Sequence, residues 1–354
     1  MEKTRVVEKA FKILLIFVPL SLFAEYMHSS PIAIFILASL AIIPLAKFIG
    51  ESTEEISAHT GQALVGFLNA TFGNATELII SIFALQAGLT EMVKASITGS
   101  IIGNLLLILG MALFFGGLGK DEQAFNTTAA RTSASTLFLA TAAIVMPAVF
   151  VLTSEDPSAA TIETLSIAVS IIMAVSYLAS LLFSLHTHKH LYTADTAECS
   201  AKWSVKKAVA VLLASTVAVA VMSEILVGSI EPLAKNFGWT ELFIGMIFVA
   251  IIGNAAEHVS AITIAIRGRM DLSLQIAIGS TTQIAMFVVP VLVFTSYFFE
   301  TPMNLIFTTF ELAAIVSAVL MVKSIIEDGK SNWFEGLQLL GTYGIMVVVS
   351  FLHP

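Results

Sequence analysis

The sequence has few charged residues and a single cysteine. Asp, Glu, Lys and Arg make up 12% of its 354 residues, whereas soluble domains carry about 25%. Hydrophobic residues account for 57%, and the mean hydropathy is +0.93. A water-soluble fold is excluded, because it could not hide that much apolar surface. The single cysteine, Cys199, excludes an intramolecular disulfide.

The chain also lacks the phosphate-binding motif GxxxxGK[ST] and any polar segment long enough to fold into a nucleotide-binding domain. A pump driven by nucleotide hydrolysis is therefore excluded. We expect no enzymatic activity, no cofactor and no nucleic-acid partner.

Apolar runs separated by polar, Gly or Pro residues predict about eleven membrane-spanning helices, since each span needs roughly 20 apolar residues. The runs are residues 11–28, 31–50, 62–87, 92–118, 132–152, 162–185, 205–230, 240–266, 271–298, 304–326 and 333–352. The sequence thus predicts an all-α polytopic membrane protein embedded in a lipid bilayer.

Basic residues are concentrated on one side of this predicted topology. With the N-terminus in the cytoplasm, Lys94 and Lys235 are the only two of the 17 Lys and Arg residues on the external side. Cytoplasmic loops carry an excess of Lys and Arg. We therefore predict a multi-pass protein of the cell membrane with a cytoplasmic N-terminus and an external C-terminus.

Two pairs of short segments repeat at a constant offset of 180 residues. GNATE at 73–77 is matched by GNAAE at 253–257, and Gly-Ser at 99–100 is matched by Gly-Ser at 279–280. Five spans per copy would invert the second copy in the membrane, a recurrent plan of secondary transporters. The predicted organisation is an N-terminal extra helix (1–30), a first five-helix repeat (31–185), a cytoplasmic linker (186–203) and a second, inverted five-helix repeat (204–354).

Glu77 and Glu257 lie within apolar runs. A charged residue at the bilayer centre costs about 2.5 to 3.5 kcal/mol on insertion scales, so both residues need a reason to be there. A bound cation or proton supplies one. Other polar residues at helical spacing could share this site; they are Asn74, Asn254, Ser100, Asn104, Ser280 and Gln283.

Carboxylate, amide and carbonyl oxygens suit Ca²⁺, and no cysteine pair or histidine pair among these candidates points to zinc or copper. Neighbouring glycines would allow close helix approach or a local break; they are Gly73, Gly99, Gly103, Gly253 and Gly279. The amides and hydroxyls could instead be interhelical hydrogen-bond partners. Glu224 and Glu311, also in apolar runs, are further candidates for a proton or ion path.

The segments GNATEL at 73–78, GSIIGN at 99–104, GNAAEH at 253–258 and GSTTQI at 279–284 resemble the cation/proton exchanger family. These are Ca²⁺/H⁺ antiporters within the wider cation/Ca²⁺ exchanger superfamily. The resemblance implies antiport of Ca²⁺, or a similar divalent cation, against protons. It implies that Glu77 and Glu257 form the central site for cation and proton, and that His258 assists proton coupling.

The nearest alternative is an exchanger coupled to Na⁺ or selective for another cation. The Na⁺/Ca²⁺ exchangers of the superfamily usually carry Ser or Thr and a Pro before the glutamate. This sequence has Asn-Ala-Thr and Asn-Ala-Ala instead, which favours protons as the counter-ion. A channel and an intramembrane enzyme fit the paired motif less well, and a homo-oligomer is compatible with the sequence.

The predicted orientation can be tested with thiol labelling. Cys199 should react with an impermeant thiol reagent from the cytoplasmic side only, because it lies in the predicted linker after the sixth span. A cysteine introduced at Ser158 should react from outside. The reverse labelling pattern would contradict a cytoplasmic N-terminus.

Overall fold

The computed structural model describes residues 10–59, 68, 71–188 and 202–353. Helices dominate the described part. We number them α1 (Phe17–Tyr26), α2 (Pro31–Ser57), α3 (Ala75–Gln86), α4 (Thr90–Gly117), α5 (Thr127–Thr153), α6 (Ala159–Thr187), α7 (Val205–Phe237), α8 (Glu241–Ile266), α9 (Met270–Ser296), α10 (Thr309–Ile326) and α11 (Trp333–Leu352). Two short strands, β1 (Gln123–Ala124) and β2 (Lys330–Ser331), pair antiparallel between helix ends.

Nine of these helices, all but α1 and α3, are long and apolar enough to cross a membrane. The chain is therefore an all-α polytopic membrane protein, as the sequence predicted. The two shorter helices lie where the first and third spans were expected, and residues 60–67 and 69–70 of the third region are outside the described part. The number of eleven spans and the inverted repeat remain predictions.

Side-chain caps define where most long helices begin. An N-cap oxygen that accepts a backbone N–H satisfies a donor that has no partner within the helix. Residues with this role are Ser30, Asn126, Ser158, Ser204, Thr240, Thr308 and Asn332. Helix α7 ends at Gly238, whose φ of 67° is favourable for glycine.

The centre of the bundle depends on a close crossing of α4 and α8. A Cβ atom on Gly99 of α4 would collide with the backbone of Met246, and one on Gly245 of α8 would lie 2.6 Å from the Met92 carbonyl oxygen. Both glycines thus let the two backbones approach. Gly103 and Gly279 have no such neighbour within 4 Å, so close approach does not account for them; Gly103 instead begins the π-helical stretch Gly103–Ile108, a local departure from the α-helix.

Lys94 is buried near the N-terminal end of α4, with 4% of its surface exposed. Its ammonium group donates to Glu91 Oε1 (3.0 Å), Asn304 Oδ1 (3.0 Å) and the Ile306 carbonyl (2.9 Å). Asn304 and Ile306 belong to the non-helical segment 299–308 before α10. Lys94 is therefore an internal cross-link rather than a loop charge, which explains one of the two exceptions in the charge distribution.

Several boundaries differ from the sequence prediction: the second and seventh spans each run seven residues further, to Ser57 and Phe237, and the fifth begins five residues earlier, at Thr127. The tenth span begins at Thr309 instead of residue 304, and Glu311 forms a capping box with Thr308 at its start. Helix α6 continues to Thr187, two residues into the predicted linker, because its last turns are π-helical. Most of that linker, including Cys199, lies outside the described residues.

The glycine crossing predicts different effects at two positions related by the sequence repeat. Gly99→Ala should lower the thermal stability of the purified protein, because overpacking typically costs about 1 to 3 kcal/mol. Gly279→Ala should be tolerated, since it enters open space. Melting curves in detergent measure both, and equal stability of the two variants would contradict the close crossing.

Candidate functional site

Asn74 lies at a break in the chain immediately before α3. Residues 71–72 are helical, Gly73 and Asn74 form a turn, and α3 starts at Ala75. The Asn74 side chain does not cap α3. Its Nδ2 donates to Gln283 Oε1 (2.7 Å), and its Oδ1 accepts from the Ser280 hydroxyl (3.1 Å). The residue thus connects α3 to α9, on the other half of the chain.

Asn254 makes the reciprocal connection. It lies within the continuous helix α8, and its Nδ2 donates to Ser100 Oγ on α4 (2.9 Å). Its Oδ1 accepts from Asn104 Nδ2 (3.3 Å), which also donates to Ser280 Oγ (3.0 Å). Each asparagine of the repeated motif therefore bonds to a serine and an amide of the opposite half. All six predicted amide and hydroxyl residues belong to this one network.

The carboxyl groups of Glu77 and Glu257 lie beside the amide network. Glu77 is in the first turn of α3 and packs on Gly253, where a Cβ atom would lie 2.9 Å from Glu77 Cγ. Glu257 is one helical turn further along α8. The two carboxyl groups interact electrostatically, and the Ser280 hydroxyl interacts with Glu257. Both oxygens of Glu77 and Oε2 of Glu257 are buried without a hydrogen-bond partner.

Unpartnered buried carboxylate oxygens are costly, because a carboxylate loses its hydration without compensation. A proton or a cation would compensate it. The amide donors nearby bond within the network, and the Ser280 hydroxyl that interacts with Glu257 is neutral, so neither removes the charge of the carboxylates. The described residues contain no group of three or more His, Cys, Asp or Glu that could hold a metal ion. The available ligands are therefore two carboxylates and neutral oxygens, a set that suits a hard cation such as Ca²⁺.

A polar cavity of about 430 Å³ leads to these residues from one side of the bundle. It runs from Glu51 and Glu54, at the end of α2, to Glu257, Ser280 and Gln283. Glu51 forms an ion pair with Lys47 (3.1 Å), and Glu54 is exposed. The acidic end of α2 is thus the mouth of a path to the centre.

Three candidates are not part of the network. His258 is buried on α8, but none of the bonds described above involves it. Glu224 is exposed on α7. Glu311 is buried at the start of α10, where it accepts bonds from the Thr308 backbone and hydroxyl (both 2.8 Å); its capping role accounts for its position.

Two cavity residues were missed in the sequence. Gln275 and Ser260 line the cavity together with Glu257. Their spacing could have identified them. Gln275 is eight residues before Gln283 on α9, and Ser260 is three residues after Glu257 on α8, so each shares a helix face with a predicted residue.

A helical membrane bundle with two carboxyl groups at its centre, three of whose oxygens lack a hydrogen-bond partner, and with a cavity that leads to them, defines a secondary cation transporter. The chain belongs to the family described as "Sodium/calcium exchanger protein", whose model matches residues 30–186 and 207–352.

Relatives cover nearly the full length. A "Ca(2+)/H(+) antiporter" of Aphanothece halophytica is 47% identical over 96% of both chains. The "Ca(2+)/H(+) antiporter ChaA" of Bacillus subtilis is 50% identical, over 95% of this chain and 96% of the relative. The solved structure of native YfkE is 47% identical and has a TM-score of 0.85, covering 97% of this chain and 99% of that one.

Proposed function

We propose that the protein is a secondary active antiporter that exchanges Ca²⁺, or a similar divalent cation, for protons. The observation that carries the proposal is the pair of buried carboxyl groups, Glu77 and Glu257, with oxygens that have no hydrogen-bond donor. Two relatives at 47% and 50% identity bear the name Ca²⁺/H⁺ antiporter, which supports the same ions. Ca²⁺ is a transported substrate in this proposal, and no cofactor or enzymatic step is needed.

Competition for the two carboxylates couples the two flows. A dication is attracted by both negative charges, and protonation removes that attraction. The site therefore holds either Ca²⁺ or protons. Asn74, Asn254, Asn104, Ser100, Ser280 and Gln283 supply neutral oxygens or orient the helices that carry the carboxylates. His258 would assist proton transfer from its position next to Glu257.

Helices α2 and α7 are the moving elements in this proposal. They pack along each other over much of their length. Four of their hydroxyls bond to carbonyls of their own helix, at Ser39, Thr53, Thr216 and Ser229. Such bonds stay intact when a helix slides past a neighbour.

The ends of the two moving helices are also tied together. Glu55 Oε2, near the end of α2, accepts the backbone N–H groups of Lys202 (2.8 Å) and Trp203 (2.9 Å) just before α7. The ring of His59 bonds to the Trp203 carbonyl (2.8 Å). We therefore expect α2 and α7 to move together.

In this proposal, the cavity between the end of α2 and Glu257 is the open path of one transport state. With a cytoplasmic N-terminus the end of α2 faces the cytoplasm, and the Lys94 cross-link lies on the opposite, external side. Protons that enter from outside would then release Ca²⁺ to the outside across the cell membrane. One chain contains the whole candidate site, so the proposal is compatible with a homo-oligomer as well as with a monomer.

The alternative is exchange of Ca²⁺ against Na⁺, because the family is described as sodium/calcium exchangers. Acid-loaded proteoliposomes should accumulate ⁴⁵Ca²⁺ when diluted into alkaline buffer without Na⁺, because outward proton flow drives the exchange. A protonophore should abolish this uptake. Accumulation in Na⁺-loaded vesicles alone would identify the alternative as correct.

Charge-neutral substitutions test whether the two carboxylates share one ion. Glu77→Gln and Glu257→Gln should each abolish exchange, because each keeps the side chain's size but removes a charge that attracts the dication. The double variant should be no worse than either single variant, as for residues that act as a unit. Glu224→Gln is the matched control, since Glu224 is an exposed glutamate on α7.

Protein level and melting temperature must be measured with the flux, so that loss of fold is not mistaken for loss of exchange. Near-normal exchange by either central variant would show that Glu77 and Glu257 do not share the transported ion.

A further inference from the structure

Tyr177 is a buried aromatic residue on α6, outside the repeated motifs. Its side chain is 4% exposed, and its hydroxyl is buried without a hydrogen bond to any described residue. A buried hydroxyl without a partner is destabilising. The residue therefore requires an explanation beyond packing, since a phenylalanine would fill the same space without that penalty.

The position of Tyr177 relates it to the candidate cation site. Its ring lies 5.8 Å from the ring of Phe287, measured between centroids, and Phe287 is one turn after Gln283 on α9. The side chain near enough to interact with its hydroxyl is that of Gln283. Tyr177 thus approaches Gln283 from α6, whereas Asn74 contacts the same amide from the α3 side.

We infer that Tyr177 is a positioning residue that holds the Gln283 amide for the cation site. This inference rests on the proposed function. In the present state, Gln283 Oε1 accepts from Asn74 Nδ2 at 2.7 Å, and the Tyr177 hydroxyl interacts with Gln283 without forming a hydrogen bond of full geometry. When a cation draws the Asn74 amide toward the carboxylates, Gln283 loses its donor, and the Tyr177 O–H replaces it. The phenol thereby lowers the cost of releasing Asn74 to the ion.

The role differs from that of a ligand. Gln283 lines the cavity, whereas Tyr177 does not, so Tyr177 acts through Gln283. Loss of its hydroxyl should therefore weaken cation binding in a graded manner and leave the exchange cycle intact.

Tyr177→Phe removes one oxygen atom and keeps the ring. In proteoliposomes with an imposed pH gradient, we expect the half-saturating Ca²⁺ concentration to rise about fivefold, the equivalent of one hydrogen bond. The maximal rate should stay within about twofold. In a Gln283→Leu background the same substitution should change half-saturation by less than about twofold, because coupled residues are non-additive.

Tyr343→Phe is the matched control. Tyr343 on α11 is also buried, its hydroxyl also lacks a hydrogen bond among the described residues, and no polar side chain of the site interacts with it. Its half-saturating Ca²⁺ concentration should equal that of the unaltered protein. The rise in melting temperature caused by Ca²⁺ in detergent gives a second readout, which requires binding but not transport.

The outcomes are distinct. Unchanged half-saturation in Tyr177→Phe overturns the inference, and so does an equal fivefold loss with and without Gln283, which would indicate general repacking. Absence of gradient-driven Ca²⁺ uptake by the unaltered protein would instead overturn the proposed function.

Discussion

The burial of carboxyl oxygens without hydrogen-bond donors, both of Glu77 and one of Glu257, is the constraint on which the structure depends. Glu77 and Glu257 lie side by side at the centre of a helical membrane bundle. Such groups repel each other when charged and lose hydration without compensation. The surrounding helices must therefore be held together by other means. The α4–α8 crossing at Gly99 and the bonds of Asn74 and Asn254 supply that support.

The distribution of donors explains how the carboxylates stay available. Asn104 donates to Asn254 and Ser280, and Asn74 donates to Gln283. Because these amides satisfy one another, the network can be rigid without neutralising the acids. Two charged groups elsewhere in the bundle do have hydrogen-bond partners. Lys94 has three acceptors around its ammonium group, and Glu311 accepts two bonds from Thr308, its own helix cap. Lys94 and Glu311 are thus held in place by their bonds, whereas three oxygens of the central pair remain available to a proton or a cation.

Sequence patterns predicted the helical membrane class and the residues of the central network. Both predictions rest on hydropathy and on the 180-residue offset, which can be measured along the sequence without knowing how the helices pack. Contacts between helices were harder to predict from the sequence. Gly99 and Gly279 are equivalent in the sequence repeat, yet only Gly99 of this pair faces a close backbone. Lys94 was counted only as a charge on the external side, since nothing in its sequence neighbourhood identifies Asn304 and Ile306 as partners. Tyr177 lies in an apolar run that gives no sign of Gln283.

The reciprocal bonds of the two asparagines bear on how such a chain could have originated. If the halves arose by gene duplication, Asn74 and Asn254 descend from one ancestral residue, and Ser100 and Ser280 from another. Each asparagine bonds to the serine of the other half. A lone ancestral half would lack these cross-half bonds, so two copies, of opposite orientation if the predicted inversion holds, would have had to assemble to form them. Fusion into one chain would then have fixed an existing dimer and allowed its halves to diverge, as the break before α3 and the continuous α8 now show.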